Sequence, residues 1–234
     1  MWKAIFYTVE PGLYPGILGT SVVGRALNAQ WTCHAVGLRD YATDKHRTID
    51  DAPYGGGAGM VLKPDALGAA VEANFYAGVP LLHPSPRGER FTQKTAETLA
   101  SGPGAAFICG RFEGVDERAL VHYGAREVSL GDYVLSNGDL AAMAMVDAVV
   151  RLLPGALGNE KTLEEESFSG GDENFSGLLE YPLYTKPLVW KGMSPPETLR
   201  SGNHAEIRAW RRRMAEEVTK SRRPDLYQAY IEKI

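Results

Sequence analysis

Over roughly its first 155 residues the chain alternates between two hydrophobic patterns. Segments 2–8, 32–38, 79–82, 105–109 and 127–130 are short apolar runs rich in branched and aromatic residues, the signature of strands. Between them, 17–28, 64–76, 92–99, 117–123 and 140–153 carry apolar residues at helical spacing, as Leu67, Ala70, Val71 and Phe75 do. Pro64 and Asp65 suit an opening helical turn, and 92–99 has the look of a capped helix. Asp139 is the candidate N-cap of the last helix and Pro154-Gly155 its stop. Strands and helices alternating across short connections predict an α/β fold on a parallel sheet.

The pattern then breaks. Residues 159–180 hold seven carboxylates, one lysine and three glycines, which reads as an exposed, mobile linker. Beyond it, 194–199 predicts a short helix with Pro195 or Pro196 at its first position, Asn203 caps a helix over about 205–218, and 224–234 forms a last one. The C-terminal part thus reads as a small helical domain, and no internal repeat is present.

Charge sharpens this division. From Arg200 onward there are nine Lys or Arg against five Asp or Glu, a local charge of +4, so the first 199 residues carry −8 of the overall −4. An acidic body with a basic tail fits a tail that meets a polyanion; it also fits a solvated helix face. The longest apolar run, 140–146, has seven residues, against about 20 for a membrane span. Glu10 and Pro11 interrupt the N-terminal apolar stretch before a secretory core could form. Cys33 and Cys109 stand alone, as reduced thiols of a cytoplasmic protein do. The five histidines lack ligand spacing, so no metal site is predicted.

Ligands of open α/β sheets bind at the carboxyl ends of the strands. Three glycine-containing loops leave predicted strands there: 83–88 (HPSPRG), 110–114 (GRFEG) and 131–139 (GDYVLSNGD). Together they suit a flat ring and a ribose, although each alone could be a tight turn. A fourth stretch, 53–60 (PYGGGAGM), follows no clear strand and precedes no Lys-Ser or Lys-Thr pair, so it is not a phosphate-binding P-loop. It is either a flexible loop that covers a substrate or a plain turn. Asp147 and Arg151 are four apart on an apolar helix, either as a partly exposed ion pair or with the arginine held toward a site.

These stretches, in this order, resemble the bacterial tRNA (guanine-N1)-methyltransferases of the SPOUT superfamily over essentially the whole chain. The matching segments are DDAPYGGGAGM, ICGRFEGVDER, GDYVLSNGDLAAM, DAVVRLLPGALG, EESF, LLEYPLYTKP and RSGNHAEIRAWR. The resemblance implies an N-terminal parallel-sheet SPOUT domain over 1–158 with a deep trefoil knot, a flexible acidic linker over 159–177, and a small all-α tRNA-binding domain over 178–234. It implies S-adenosylmethionine as methyl donor, held by Pro84, Ser85, Pro86, Gly110, Phe112, Glu113, Leu130, Gly131, Asp132, Tyr133, Val134, Leu135 and Gly138. It implies a homodimer with active sites at the subunit interface, and methylation at N1 of the guanine immediately 3′ to the anticodon when another guanine precedes it.

Guanine N1 is nucleophilic only after losing its proton, which a carboxylate can accept. Negative charge then grows on O6, where a fixed guanidinium stabilises it. The family's arginine matches Arg151, and its base position matches Glu166, with Glu164 and Glu165 adjacent. Arg208, Arg211 and Arg212 share one side of a predicted helix and suit phosphate contacts with the tRNA anticodon stem-loop. The chain departs from the family pattern at Phe112 (usually Tyr), Asn137 (Gly), Ala141 (Pro) and Lys186 (Arg), and carries extra residues near 170–175. Two other readings keep part of these features: an α/β enzyme for a small phosphorylated metabolite, and a tRNA-binding protein without catalysis.

Overall fold

A computed structural model describes residues 1–163, 165–168 and 175–232. The chain forms two compact units, Met1–Gly158 and Asn159–Ile234.

The first unit is an α/β layer structure. Its five-stranded sheet comprises β1 (Trp2–Thr8), β2 (Trp31–Gly37), β5 (Leu81–Arg90), β6 (Gly104–Ile108) and β7 (Arg126–Ser129), in the order β2-β1-β6-β5-β7. Every pairing in it is parallel. Successive strand residues point to opposite faces, and both faces are buried. Trp2, Ala4 and Phe6 of β1, with Ala105 and Phe107 of β6, pack under α1 (Ser21–Ala26), α3 (Gln93–Ala100) and α5 (Gly138–Val150). Ile5, Tyr7, Ala106 and Ile108 pack on the other side under α2 (Pro64–Ala73) and α4 (Glu117–Tyr123). The expected α/β class and parallel sheet are therefore present.

Four local expectations need correction. The helix anticipated over 17–28 is broken: Gly16–Gly19 is a 3₁₀ turn, Thr20 is extended, and α1 starts at Ser21. The break lets Gly24 of α1 sit on Gly19, where a side chain on Gly24 would lie 2.3 Å from the Gly19 carbonyl. The cap of α5 is Asn137, whose side chain accepts from the Leu140 amide; Asp139 is instead buried. Two-residue strands β3 (Asp50–Asp51) and β4 (Val61–Leu62) pair antiparallel, so the glycine-rich stretch is the loop between them. Finally, β5 does not end before 83–88. Pro84 and Glu89 both pair with Val128, and 85–88 loop out between them. Gly88 closes this excursion against the β7 backbone, where a side chain would lie 2.2 Å from the Val128 nitrogen.

In the second unit, Asn203 caps α6 (His204–Arg222) by accepting from the Ala205 and Glu206 amides, and Pro224 opens α7 (Pro224–Ile231). Near the first proline pair a 3₁₀ turn, Glu197–Arg200, follows Pro196. Phe175, Leu178, Tyr181, Trp210, Ala215 and Tyr230 form the core. The buried Thr219 hydroxyl accepts from the Leu179 amide at 2.8 Å, which fastens the chain before α6 onto the helix. No helix among the described residues is long and apolar enough to cross a membrane.

Candidate active site

The excursion within β5 and the loops leaving β6 and β7 meet at the carboxyl edge of the sheet around a cavity of about 490 Å³, within the usual range for small-molecule sites. Glycines make this meeting possible. The Gly138 amide donates to the Gly110 carbonyl at 2.7 Å. A side chain on Gly138 would lie 2.8 Å from the Gly110 nitrogen, and one on Gly110 would lie 2.9 Å from the His83 ring. The 110–114 and 131–138 loops are thus packed backbone to backbone, with the His83 ring closing one side.

Of the residues expected to hold a methyl donor, Pro84, Ser85, Pro86, Gly110, Phe112, Glu113, Leu130, Gly131, Tyr133, Val134, Leu135 and Gly138 line this cavity. Asp132 does not. Its side chain is 93% exposed and pairs with Arg90 at 3.3 Å. Phe112 takes φ +61°, a left-handed conformation uncommon outside glycine, and its ring is exposed at the rim. Asn137 also lines the cavity, so the departure from glycine there both caps α5 and places an amide at the site.

His83, Arg87 and Arg111, which were not among the residues expected to hold the donor, line the cavity as well. His83 is buried, and its Nδ1 lies 2.9 Å from the Ile108 carbonyl oxygen, which can only accept, so Nδ1 carries the proton. Burial pushes the His83 imidazole below its ordinary pKa despite that hydrogen bond. Arg87 bonds to both Glu117 (2.9 Å) and Glu127 (3.0 Å). Burial alone would raise the Glu127 carboxyl, but hydrogen bonds from Ser85 and Arg87 outweigh it and hold the group below its ordinary value. All three had a sequence signal, by standing in the first or the second of the three loops.

Behind the cavity, Asp139 accepts from Thr8 Oγ1 at 2.7 Å and from Tyr14 Oη at 2.8 Å. Tyr14 also lies 3.3 Å from Cys109 Sγ and stacks on Phe6. Burial drives the Cys109 thiol and the Tyr14 phenol well above their ordinary values. The network fastens the start of α5 to the ends of β1 and β6, immediately beside Gly138 and Gly110. Cys33 is half-buried, and both cysteines are free thiols.

The glycine-rich loop adjoins the cavity without lining it. Its glycines 55, 56, 57 and 59 all have positive φ. The Glu113 amide donates to the Met60 carbonyl at 2.9 Å, and a side chain on Gly59 would lie 2.3 Å from Glu113 Cγ. The loop therefore rests directly on the 110–114 turn.

Arg151 follows α5 as its C-cap; it is half-buried and outside the cavity lining, while Asp147 is exposed. Glu166 lies in the second unit. Its neighbour Glu165 accepts from the Tyr181 hydroxyl and from Arg211 at 3.0 Å. Burial and the nearby Glu166 and Glu165 raise the Glu180 carboxyl. Glu164 and most of 170–175 lie outside the described residues. On α6, Arg208 is exposed, Arg211 sits over the Tyr181 ring, and Arg212 bonds to Glu216 and Tyr230. No three His, Cys, Asp or Glu side chains among the described residues cluster in a way that could hold a metal ion.

The model of the family described as tRNA (guanine-1)-methyltransferase TrmD matches residues 2–229. The chain belongs to this family. Relatives named tRNA (guanine-N(1)-)-methyltransferase bracket it closely. The protein from Ruegeria pomeroyi is 51% identical over 98% of this chain and 94% of its own length. That from Sphingopyxis alaskensis is 50% identical over 99% and 93%, and that from Mesorhizobium japonicum 51% identical over 98% and 97%. The carboxyl edge of a parallel sheet is where this methyltransferase chain gathers its glycine loops.

Proposed function

We propose that this chain transfers a methyl group from S-adenosylmethionine to N1 of the tRNA guanine immediately 3′ to the anticodon. The observation that carries this reading is the convergence of three loops around Gly110 and Gly138 on one cavity. Its walls fit the donor. Pro84, Pro86, Leu130, Val134 and Leu135 offer apolar surface for a flat ring, and the bare backbones of Gly110, Gly131 and Gly138 offer N–H and C=O groups at close approach. Glu113 adds a carboxylate for hydroxyl or ammonium groups. When bound, S-adenosylmethionine supplies an electrophilic methyl group.

The chain's own residues do the rest. Glu166 accepts the N1 proton, and Arg151 stabilises the negative charge that develops on O6. Arg151 suits this role because α5, buried along most of its length, fixes the backbone that carries it. The contact of 131–138 with 110–114 is read as the crossing of a deep trefoil knot, and the second unit as the all-α tRNA-binding domain with Arg208, Arg211 and Arg212 toward the RNA. Two chains pair as a homodimer, in the cytoplasm, each completing the other's site. Calorimetry tests the donor assignment: S-adenosylmethionine binds, whereas ATP and NAD at equal concentration do not. Binding of ATP or NAD without S-adenosylmethionine would refute it.

A further inference from the structure

The second unit carries an exposed apolar strip that the mechanism above does not use. Leu183, Tyr184, Leu188, Val189, Trp190 and Met193 are each more than half exposed. The strip is shaped rather than loose. Trp190 and Met193 exchange both backbone hydrogen bonds, at 2.9 and 3.0 Å, across Lys191 and Gly192, whose φ values of +49° and +79° make a tight two-residue hairpin. Tyr184 is braced edge-on by Trp210 of the core, with ring centroids 6.3 Å apart. Lys191 Nζ lies 4.9 Å from the Trp190 ring centroid.

The charge along the strip is one-sided. Residues 181–196 contain Lys186 and Lys191 and no carboxylate, directly after a stretch with seven. Arg211 and Arg212, first expected to meet RNA, make bonds inside the unit, Arg211 to Glu165 and Arg212 to Glu216 and Tyr230.

We propose that this strip is an RNA-binding surface, on which Trp190 stacks with an unpaired nucleobase while Lys191 and Lys186 meet the adjoining phosphates. Every nucleobase has a π-face, so an exposed indole beside cations makes a stacking platform for single-stranded RNA. A large exposed apolar patch marks an interaction site, and a strip whose only charges are positive complements a polyanion better than an apolar protein face. The inference rests on the reading that the chain acts on tRNA.

Tryptophan emission provides the test. Trp2, Trp31 and Trp210 are buried, so the acrylamide-accessible emission comes from Trp190. In the full chain, saturating transcribed tRNA is expected to quench this component and shield it from acrylamide. Trp190→Ala is expected to weaken tRNA binding about 5- to 160-fold, the range for one base–aromatic stack, with most of the loss restored in Trp190→Phe. Its salt dependence should match the parent's, whereas Lys191→Ala should lower the log–log salt slope by about 0.7–0.9. Trp190 left open to acrylamide in the saturated complex, or Trp190→Ala binding like the parent, would overturn the inference. So would shielding that grows with protein concentration in the absence of RNA, which would make the strip an interface between copies. If the parent binds and methylates tRNA while Trp190→Ala is unchanged, the strip assignment alone fails. If the parent neither binds nor methylates tRNA, the underlying reading fails and takes this one with it.

Discussion

The backbone amide of Gly138 reaches the carbonyl oxygen of Gly110 at 2.7 Å, closer than any side chain between them would allow. That contact joins the first residue of α5 to the loop after β6. The His83 ring presses on Gly110 from the strand alongside. Two glycines therefore hold three loops at the spacing that makes the cavity.

Adding carbon at either glycine should open that arrangement. Gly138→Ala places a methyl against immovable backbone, and Gly110→Val drives a side chain into the buried His83 ring. Overpacking of this kind costs about 1–3 kcal/mol, so S-adenosylmethionine affinity should fall about tenfold or more while the circular dichroism spectrum stays that of the parent. Calorimetry on both variants checks it. Parent-like affinity in a folded variant would detach the donor from these loops.

Arg151→Ala should lower turnover by about 10²–10³, as loss of one transition-state donor does, with a much smaller change in tRNA affinity. Single-turnover rates and filter binding separate the two. A loss confined to binding would make Arg151 an RNA-positioning residue.

Glu166→Gln should lose most activity yet keep donor binding, and Glu166→Asp should retain part of the activity. Glu165→Gln should chiefly loosen the second unit, because Glu165 holds Arg211 and Tyr181. Turnover and thermal melts of the three variants decide the register. A dead Glu165→Gln beside an active Glu166→Gln would shift the base by one residue.

How far the chain could be read in advance depended on how local each feature is. The Asn203 cap and the proline start of α7 are settled by neighbours in sequence, and both were legible. So were the cavity loops, because Gly110 and Gly131 stand where strands end and Gly138 opens the helix that follows. The continuation of β5 beyond Pro84 was not. Pro-Ser-Pro-Arg-Gly reads as a turn, and only pairing with Val128, some forty residues on, returns the chain to the sheet. Asp139 was misread as a cap because helix starts favour acidic residues; its partners Thr8 and Tyr14 are more than a hundred residues away. His83 had no periodic signal of its own, and its burial comes from packing against Gly110.

His83 also makes stability depend on pH. Burial holds the folded imidazole below its ordinary value of 6.5, so the unfolded chain takes up a proton there that the folded chain refuses. This contribution is complete above about pH 6.5 and is lost as the pH falls toward the depressed folded value. His83→Asn keeps a donor for the Ile108 carbonyl but cannot titrate. Its melting temperature should drop less between pH 7 and pH 5 than the parent's. Parallel pH profiles would contradict a buried neutral imidazole.

The most direct measurement is methyl transfer itself. The full chain is incubated with radiolabelled S-adenosylmethionine and a transcribed tRNA that carries guanine on both sides of the last anticodon junction, and the product is digested to nucleosides. Label in N1-methylguanosine, located at the guanine 3′ to the anticodon and abolished when that guanine is replaced by adenine, is the predicted result. No label in the tRNA, or label in another nucleoside or position, would contradict it.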